Sequence, residues 1–242
     1  MNNLQENNNK VFISGEILTD AEFSHEVYGE GFYEMSVLVK RLSGQGDILP
    51  VTVSERLIND QNLKKGVTIN ALGQFRSYNK IVDGKSKLML TVFVREILQG
   101  VTVKNPNSIV LSGYICKPTV YRTTPFNREI ADVLIAVNRS YNKSDYIPCI
   151  AWGRNARFAK NLDVGDRIAI AGRIQSREYQ KRIGEDEIKV MTAYEVSVSK
   201  LAAIGADEDF DTDEEFGFSD SYYSETNAED YPVYDEEPYA RT

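Results

Sequence analysis

Three runs decide how this chain is read: Asp145-Tyr-Ile-Pro-Cys-Ile-Ala-Trp152, Gly153-Arg-Asn-Ala-Arg-Phe-Ala-Lys-Asn-Leu162 and Arg167-Ile-Ala-Ile-Ala-Gly-Arg-Ile-Gln-Ser-Arg-Glu-Tyr179. In the first, Ile147, Cys149 and Ala151 alternate with Tyr146 and Trp152, the pattern of a strand with one buried face. In the last, Ile168, Ile170 and Ile174 point inward, whereas Arg167, Ala169, Ala171 and Arg173 point out. Gly172 interrupts the inward row, where glycine commonly marks a bulge or a tight barrel bend. Asn155–Leu162 between them reads as a short helix that ends before Val164-Gly165. Basic and aromatic side chains thus fall on the face the core does not use, which suits a surface that holds single-stranded nucleic acid.

Working outward, Ser108–Cys116 and Ile130–Arg139 read as two further strands, the second with Val133, Ile135 and Val137 inward. A charged hairpin at Gln180–Glu187 leads to a last strand at about Lys189–Lys200. Five strands with a helix between the third and fourth match an OB-fold barrel. The same skeleton occurs earlier. A shift of 98 positions lays Val11-Phe-Ile-Ser-Gly-Glu-Ile17 on Ile109-Val-Leu-Ser-Gly-Tyr-Ile115, with Arg41 on Arg139 and Pro50 on Pro148. After a one-residue slip, Gly66, Gly73 and Ser77 meet Gly165, Gly172 and Ser176. The chain therefore reads as all-β, with two tandem five-stranded OB-fold barrels, each carrying one short helix.

The expected boundaries are a flexible N-terminus at 1–9, a first barrel at 10–99, a linker at 100–107, a second barrel at 108–204 and an acidic tail at 205–242. The linker's Lys-Asn-Pro-Asn should break strand pairing and separate the two domains. The net charge of −8 divides unevenly. Residues 205–242 carry 14 Asp and Glu against one Arg, residues 105–204 carry 15 Lys and Arg against 10 acids, and residues 1–104 balance at 12 each. Acidic residues and unphased aromatics predict disorder for the tail.

Several functions are argued against. His25 is the only histidine, and Cys116 and Cys149 form no CxxC pair, so no metal site, cofactor or catalytic cluster is expected. Cys149 reads as a small buried hydrophobe. Gly84-Lys85-Ser86 reads as a hairpin turn, because a phosphate-binding loop needs glycine where Asn79 stands. No apolar run approaches a membrane span and the N-terminus lacks a signal-peptide core, which predicts a cytoplasmic protein.

The second repeat resembles the bacterial single-stranded DNA-binding protein (SSB) family over nearly its whole length. The resemblance is carried by Ala136-Val-Asn-Arg-Ser-Tyr141, Tyr146-Ile-Pro-Cys-Ile-Ala-Trp152 and Gly172-Arg-Ile-Gln-Ser-Arg-Glu-Tyr179, with the acidic tail similar as well. It implies a non-enzymatic protein that binds and protects single-stranded DNA in replication, repair or recombination. It also implies base stacking on Tyr141, Tyr146, Trp152 and Tyr179, with Arg139, Arg154, Arg173 and Arg177 available to neutralise phosphates. In the first repeat the four stacking positions hold Ser43, Ile48, Ser54 and Lys80 and the module is neutral, which predicts an architectural barrel for dimerisation or partner binding. The resemblance further implies a homodimer giving four OB folds. A terminal peptide, here Asp235-Glu236-Glu237-Pro238-Tyr239, would dock replication and repair proteins, although tyrosine stands where the family has phenylalanine and three residues follow it. The −13 tail could instead compete with DNA for the basic barrel. Two other readings fit the same residues: a protein-interaction scaffold that binds nucleic acid weakly, and a single-stranded RNA binder.

Overall fold

A computed structural model describes residues 8–41, 43–82, 84–182, 188–205 and 216–224. The first barrel comprises β1 (Asn9–Ile17), β2 (Glu22–Val27), β3 (Glu30–Lys40), β4 (Gly46–Ser54), helix α1 (Glu55–Asp60), β5 (Thr68–Val82) and β6 (Lys85–Ile97). After β7 (Val101–Val103), the second repeats the plan with β8 (Asn107–Ile115), β9 (Val120–Thr123), β10 (Glu129–Arg139), β11 (Lys143–Trp152), α2 (Arg154–Ala159), β12 (Arg167–Arg182) and β13 (Ile188–Ala203). Each barrel closes where its first long strand pairs with its third, β1 with β3 and β8 with β10. In each, one parallel pairing, β4 with β6 or β11 with β13, joins the strand before the helix to the last strand of the barrel. This is the OB topology expected from the sequence. The alternation does the sorting: Ile147, Cys149, Ala151, Ile168, Ile170 and Ile174 are all buried. Burial pushes the Cys149 thiol above its ordinary range.

Gly172 sits at the register shift in the β12–β13 ladder, and Gly73 at the matching shift between β5 and β6. At both positions a Cβ would collide with the facing backbone carbonyl, of Ser197 and of Phe93. The bulge therefore requires glycine in each barrel.

Three findings depart from the sequence expectations. The barrels are not separated: β1 pairs antiparallel with β8 from Asn9↔Leu111 to Ile13↔Asn107, forming one continuous 12-stranded sheet. Ser14 N–H to Pro106 C=O and Ser112 N–H to Asn8 C=O, both at 2.8 Å, extend that ladder at its ends. Each barrel would otherwise leave a flat edge strand open. Asn9, assigned to the flexible terminus, is buried and brackets the Phe75 backbone, accepting from its N–H and donating to its C=O, both at 2.9 Å.

Within the tail, residues 216–224 are docked. Phe218–Ser221 forms a 3-10 turn and β14 (Tyr222–Ser224) pairs with β7 in the former linker. Phe218 is buried against Phe12, Val110 and Ala171, and the Tyr222 ring stacks on Phe12 with centroids 4.5 Å apart. The aromatics that lacked a repeating period in sequence are its anchors. This cover also buries Ala171, which the alternation had put in solvent, and Ala169 is buried as well.

The barrels exchange side chains near the junction. The Asp47 carboxylate accepts the Ser176 N–H at 2.9 Å, and the Asp145 carboxylate accepts the Ser77 N–H at 2.7 Å. Each aspartate is buried and paired with an arginine of its own barrel, Arg41 at 2.6 Å and Arg139 at 3.1 Å.

Candidate nucleic-acid interface

The outer face of the second barrel runs across β10, β11, β13 and β12. Register carries it: Trp152 lies opposite Ile130 and Tyr146 opposite Ala136, while Ile150 is level with Ser197, itself opposite Arg173. Tyr146 and Trp152 share the parity opposite to Ile147 and Cys149 and are 46% and 41% exposed, enough to present a ring while the other side rests on the sheet. Arg173, Gln175, Arg177 and Tyr179 follow one another on the outward parity of β12. Tyr141 stands elsewhere, on the β10–β11 turn, where it and Asn142 adopt φ of +61° and +53°. That left-handed turn throws its ring into solvent, 94% exposed.

The arginines differ in what they can offer. Arg154 is exposed at the start of α2. Arg173 and Arg177 belong to a polar ladder: Arg173 donates to Gln175 Oε1 at 3.2 Å, Gln175 donates to Glu195 at 2.8 Å, and Arg177 pairs with Glu195 at 3.6 Å. The Arg177 guanidinium also lies 5.9 Å from the Tyr179 ring centre, orienting that ring. Burial lowers the Arg173 pKa, with nearby Arg41 adding to it, and its Nε is buried without a partner. Arg139 occupies a different setting from the other three. It continues the inward parity of Val133, Ile135 and Val137, so its side chain turns beneath the β10–β11 hairpin to Asp145 rather than onto the outer face. Arg41 does the same with Asp47 in the first barrel, which makes this a pairing of the junction first.

In the first barrel, Tyr78 donates its hydroxyl to Glu34 at 3.1 Å, and burial with that carboxylate pushes its pKa up to about 12. Residues 235–239, the expected docking peptide, lie outside the described residues. Among the described residues no group of His, Cys, Asp and Glu is arranged to hold a metal ion, and no helix is long and apolar enough to cross a membrane.

Known proteins share this barrel. The family model of the Single-strand binding protein family matches residues 106–203, the second barrel. Single-stranded DNA-binding protein 3 of Streptococcus agalactiae is 35% identical over 86 residues, covering 33% of this chain and 62% of that protein. Single-stranded DNA-binding protein 1 of Streptococcus pyogenes is 35% identical over 86 residues, covering 33% of this chain and 66% of that protein. Single-stranded DNA-binding protein A of Bacillus subtilis is 33% identical over 86 residues, covering 33% of this chain and 50% of that protein. The chain thus spans between half and about two-thirds of the length of these relatives. The crystal structure of the wild-type single-stranded DNA binding protein from Thermus aquaticus matches with a TM-score of 0.63 at 19% identity, over 85% of this chain and 97% of that one. That likeness covers both barrels and concerns the fold. The second barrel thus matches the single-strand binding protein family over residues 106–203, and the two barrels together share the fold of the Thermus aquaticus protein.

Proposed function

We propose that this protein is a non-enzymatic binder of single-stranded DNA, and that the outer face of the second barrel carries the strand. The observation behind this reading is the continuous face from Trp152 and Tyr146 across β13 to Arg173, Arg177 and Tyr179. Flat aromatic rings accept any base, each stack contributing roughly 1–3 kcal/mol, and the arginines neutralise phosphates. The curated relatives that match this barrel are named as single-stranded DNA-binding proteins, which favours DNA over RNA and over a pure protein scaffold. Roles in replication, repair or recombination, and a dimer giving four OB folds, accord with the same reading.

Trp152 is the chain's only tryptophan and reports on the face directly. Titration with oligo-dT should quench its fluorescence, with affinity falling as salt rises, and Tyr179→Ala should weaken the binding. An RNA oligomer of matched sequence tests the choice of nucleic acid. Absence of quenching at low salt would refute the reading.

A further inference from the structure

The described cavities include a polar cleft of about 590 Å³ where the two barrels meet, lined by both. The first barrel contributes Arg76 on β5 and Arg95 on β6, and the second contributes Arg139, Tyr141 and Lys143 from the β10–β11 hairpin. We infer that this cleft binds the phosphodiester backbone of a strand leaving the second barrel's face, so that the first barrel takes part in binding although it lacks the stacking aromatics. The inference rests on the DNA-binding reading above.

Four observations support it. The charge is only partly compensated: four cations line the cleft, Asp145 pairs with one of them, Arg139, and among the described residues no carboxylate forms an ion pair with Arg76, Arg95 or Lys143. Asp145 lies beneath Arg139, and its Oδ1 already accepts Ser77 N–H and Arg139. Second, Arg76 is held rather than waving in solvent. Its Nε and Nη2 donate to Gln74 Oε1 at 3.2 and 2.5 Å, and its guanidinium stacks 4.7 Å from the centre of Phe93. Burial, then the neighbouring Arg139, lower its pKa to about 10, with Asp145 opposing and Arg95 adding to the fall, so that the cations near it outweigh the one carboxylate. An anion entering the cleft would relieve that crowding.

The third observation is contrast with the pseudo-symmetric cleft on the other side, lined by Lys40, Arg41, Asn107 and Arg173. There Arg41 is spent on both oxygens of Asp47, at 2.6 and 2.7 Å, and the position matching Arg76 is Gln175. On the inferred side Arg139 makes a single bond to Asp145, leaving more of its fork for a ligand. The fourth is continuity. Tyr141, the most exposed of the second barrel's expected stacking rings, forms the rim of this cleft, so a base stacked there would bring its phosphates to Arg76 and Arg95.

The test uses the full chain, the double variant Arg76→Gln with Arg95→Gln, and the single exposed-site variant Arg95→Gln as a folding control, with near-UV circular dichroism on each. Binding of oligo-dT from about 8 to about 40 nucleotides is followed by Trp152 quenching across a salt series. Two lost phosphate contacts should flatten the slope of log K against log salt by about 1.4 and weaken binding roughly ten- to hundredfold near 50 mM salt. The loss should fall on long oligomers, shorter ones keeping wild-type affinity and quenching amplitude, and Arg95→Gln should show about half the change in slope. An unchanged slope in the double variant would overturn the inference, as would equal losses at every length. Displacement of short and long oligomers alike by inorganic phosphate, against chloride at matched ionic strength, would mark a free-anion site and overturn it too. In each of these cases the wild type still quenches. A wild type that fails to quench would instead refute the DNA-binding reading, and the cleft's role with it.

Discussion

Asp47→Asn and Asp145→Asn should differ in cost, although the two carboxylates hold equivalent places in the repeats. Asp47 is clamped. Arg41 donates to both of its oxygens at 2.6 and 2.7 Å, and the other barrel's Ser176 N–H donates at 2.9 Å. An asparagine there must turn its amide NH2 toward an arginine N–H or toward Ser176, so a donor faces a donor in a buried site. Removing one partner of a buried ion pair costs roughly 3–5 kcal/mol. Because the amide keeps one acceptor, and Arg41 reaches the surface, the expected loss is about 3 kcal/mol. Asp145 is held less completely: Oδ1 takes Ser77 N–H at 2.7 Å and Arg139 at 3.1 Å, while Oδ2 is buried without a partner. An asparagine can put its nitrogen where Oδ2 lies and keep both bonds, losing only the charge, at about 1 kcal/mol. For a structured region of this size each kcal/mol moves the melting temperature by roughly 2–4 °C, so the shifts should be about 9 °C and about 3 °C. Differential scanning calorimetry at neutral pH separates them. Equal shifts, or a lower melting temperature for D145N, would refute this account of the junction.

Acidification should act on the same carboxylate. Burial pushes the Asp47 pKa up, but the bonds from Arg41 and Ser176 outweigh it and hold the group below its ordinary value. Its contribution is then present above about pH 3.9 and lost as the pH falls through the folded-state value, and D47N should flatten that part of an acid-unfolding curve. Gly172→Ala forces a Cβ against the Ser197 carbonyl, a backbone atom that cannot swing aside, and should cost at least about 1–3 kcal/mol in urea unfolding. Phe218→Ala should free residues 216–224 at a local cost of about 3 kcal/mol or more. Hydrogen exchange would then quicken at the Lys104 and Asn105 amides, which donate to the Ser221 carbonyl at 2.9 Å, with the barrel cores unchanged.

Legibility in the sequence follows periodicity. Strands with a clean two-residue alternation, such as Ile130–Arg139 and Arg167–Gln175, are readable because one face meets a hydrophobic core and the other does not. The bulge glycine is readable for a related reason, as a break in that alternation. Short β2 and β9 escape such a reading: β2 is exposed throughout and β9 nearly so, which leaves no apolar pattern to detect. Arg139 joins the expected phosphate contacts through its nearness to Tyr141, yet its parity already puts it on the inner row with Ile135 and Val137. The junction leaves a fainter signal. At the 98-residue shift Asn9 falls on Asn107 and Asp47 on Asp145, polar identities in strands that otherwise share mainly apolar character. The cleft has no sequence signature, since Arg76 and Arg95 meet Arg139 and Lys143 only after both barrels have closed and paired.

The two repeats have kept different things, and the difference has a physical logic. Aromatics on an outer face act one by one, so a barrel without them still folds, as the first barrel does with Ser43, Ile48, Ser54 and Lys80 at the matching positions. The junction does not divide that way. Asp145 of the second barrel accepts from Ser77 of the first, Asp47 of the first from Ser176 of the second, and β1 covers the edge of β8. Removing either barrel would strand a buried carboxylate's partner and open a strand edge in the other, two costs that no surface substitution nearby can offset. A barrel without outer-face aromatics is therefore still held in place, and its position beside the second barrel's hairpin sets Arg76 and Arg95 next to Arg139, Tyr141 and Lys143. The repeats differ on the outer surface and in the clefts beside the seam, whereas the seam groups Asn9 and Asn107, Asp47 and Asp145, and Ser77 and Ser176 are the same in both.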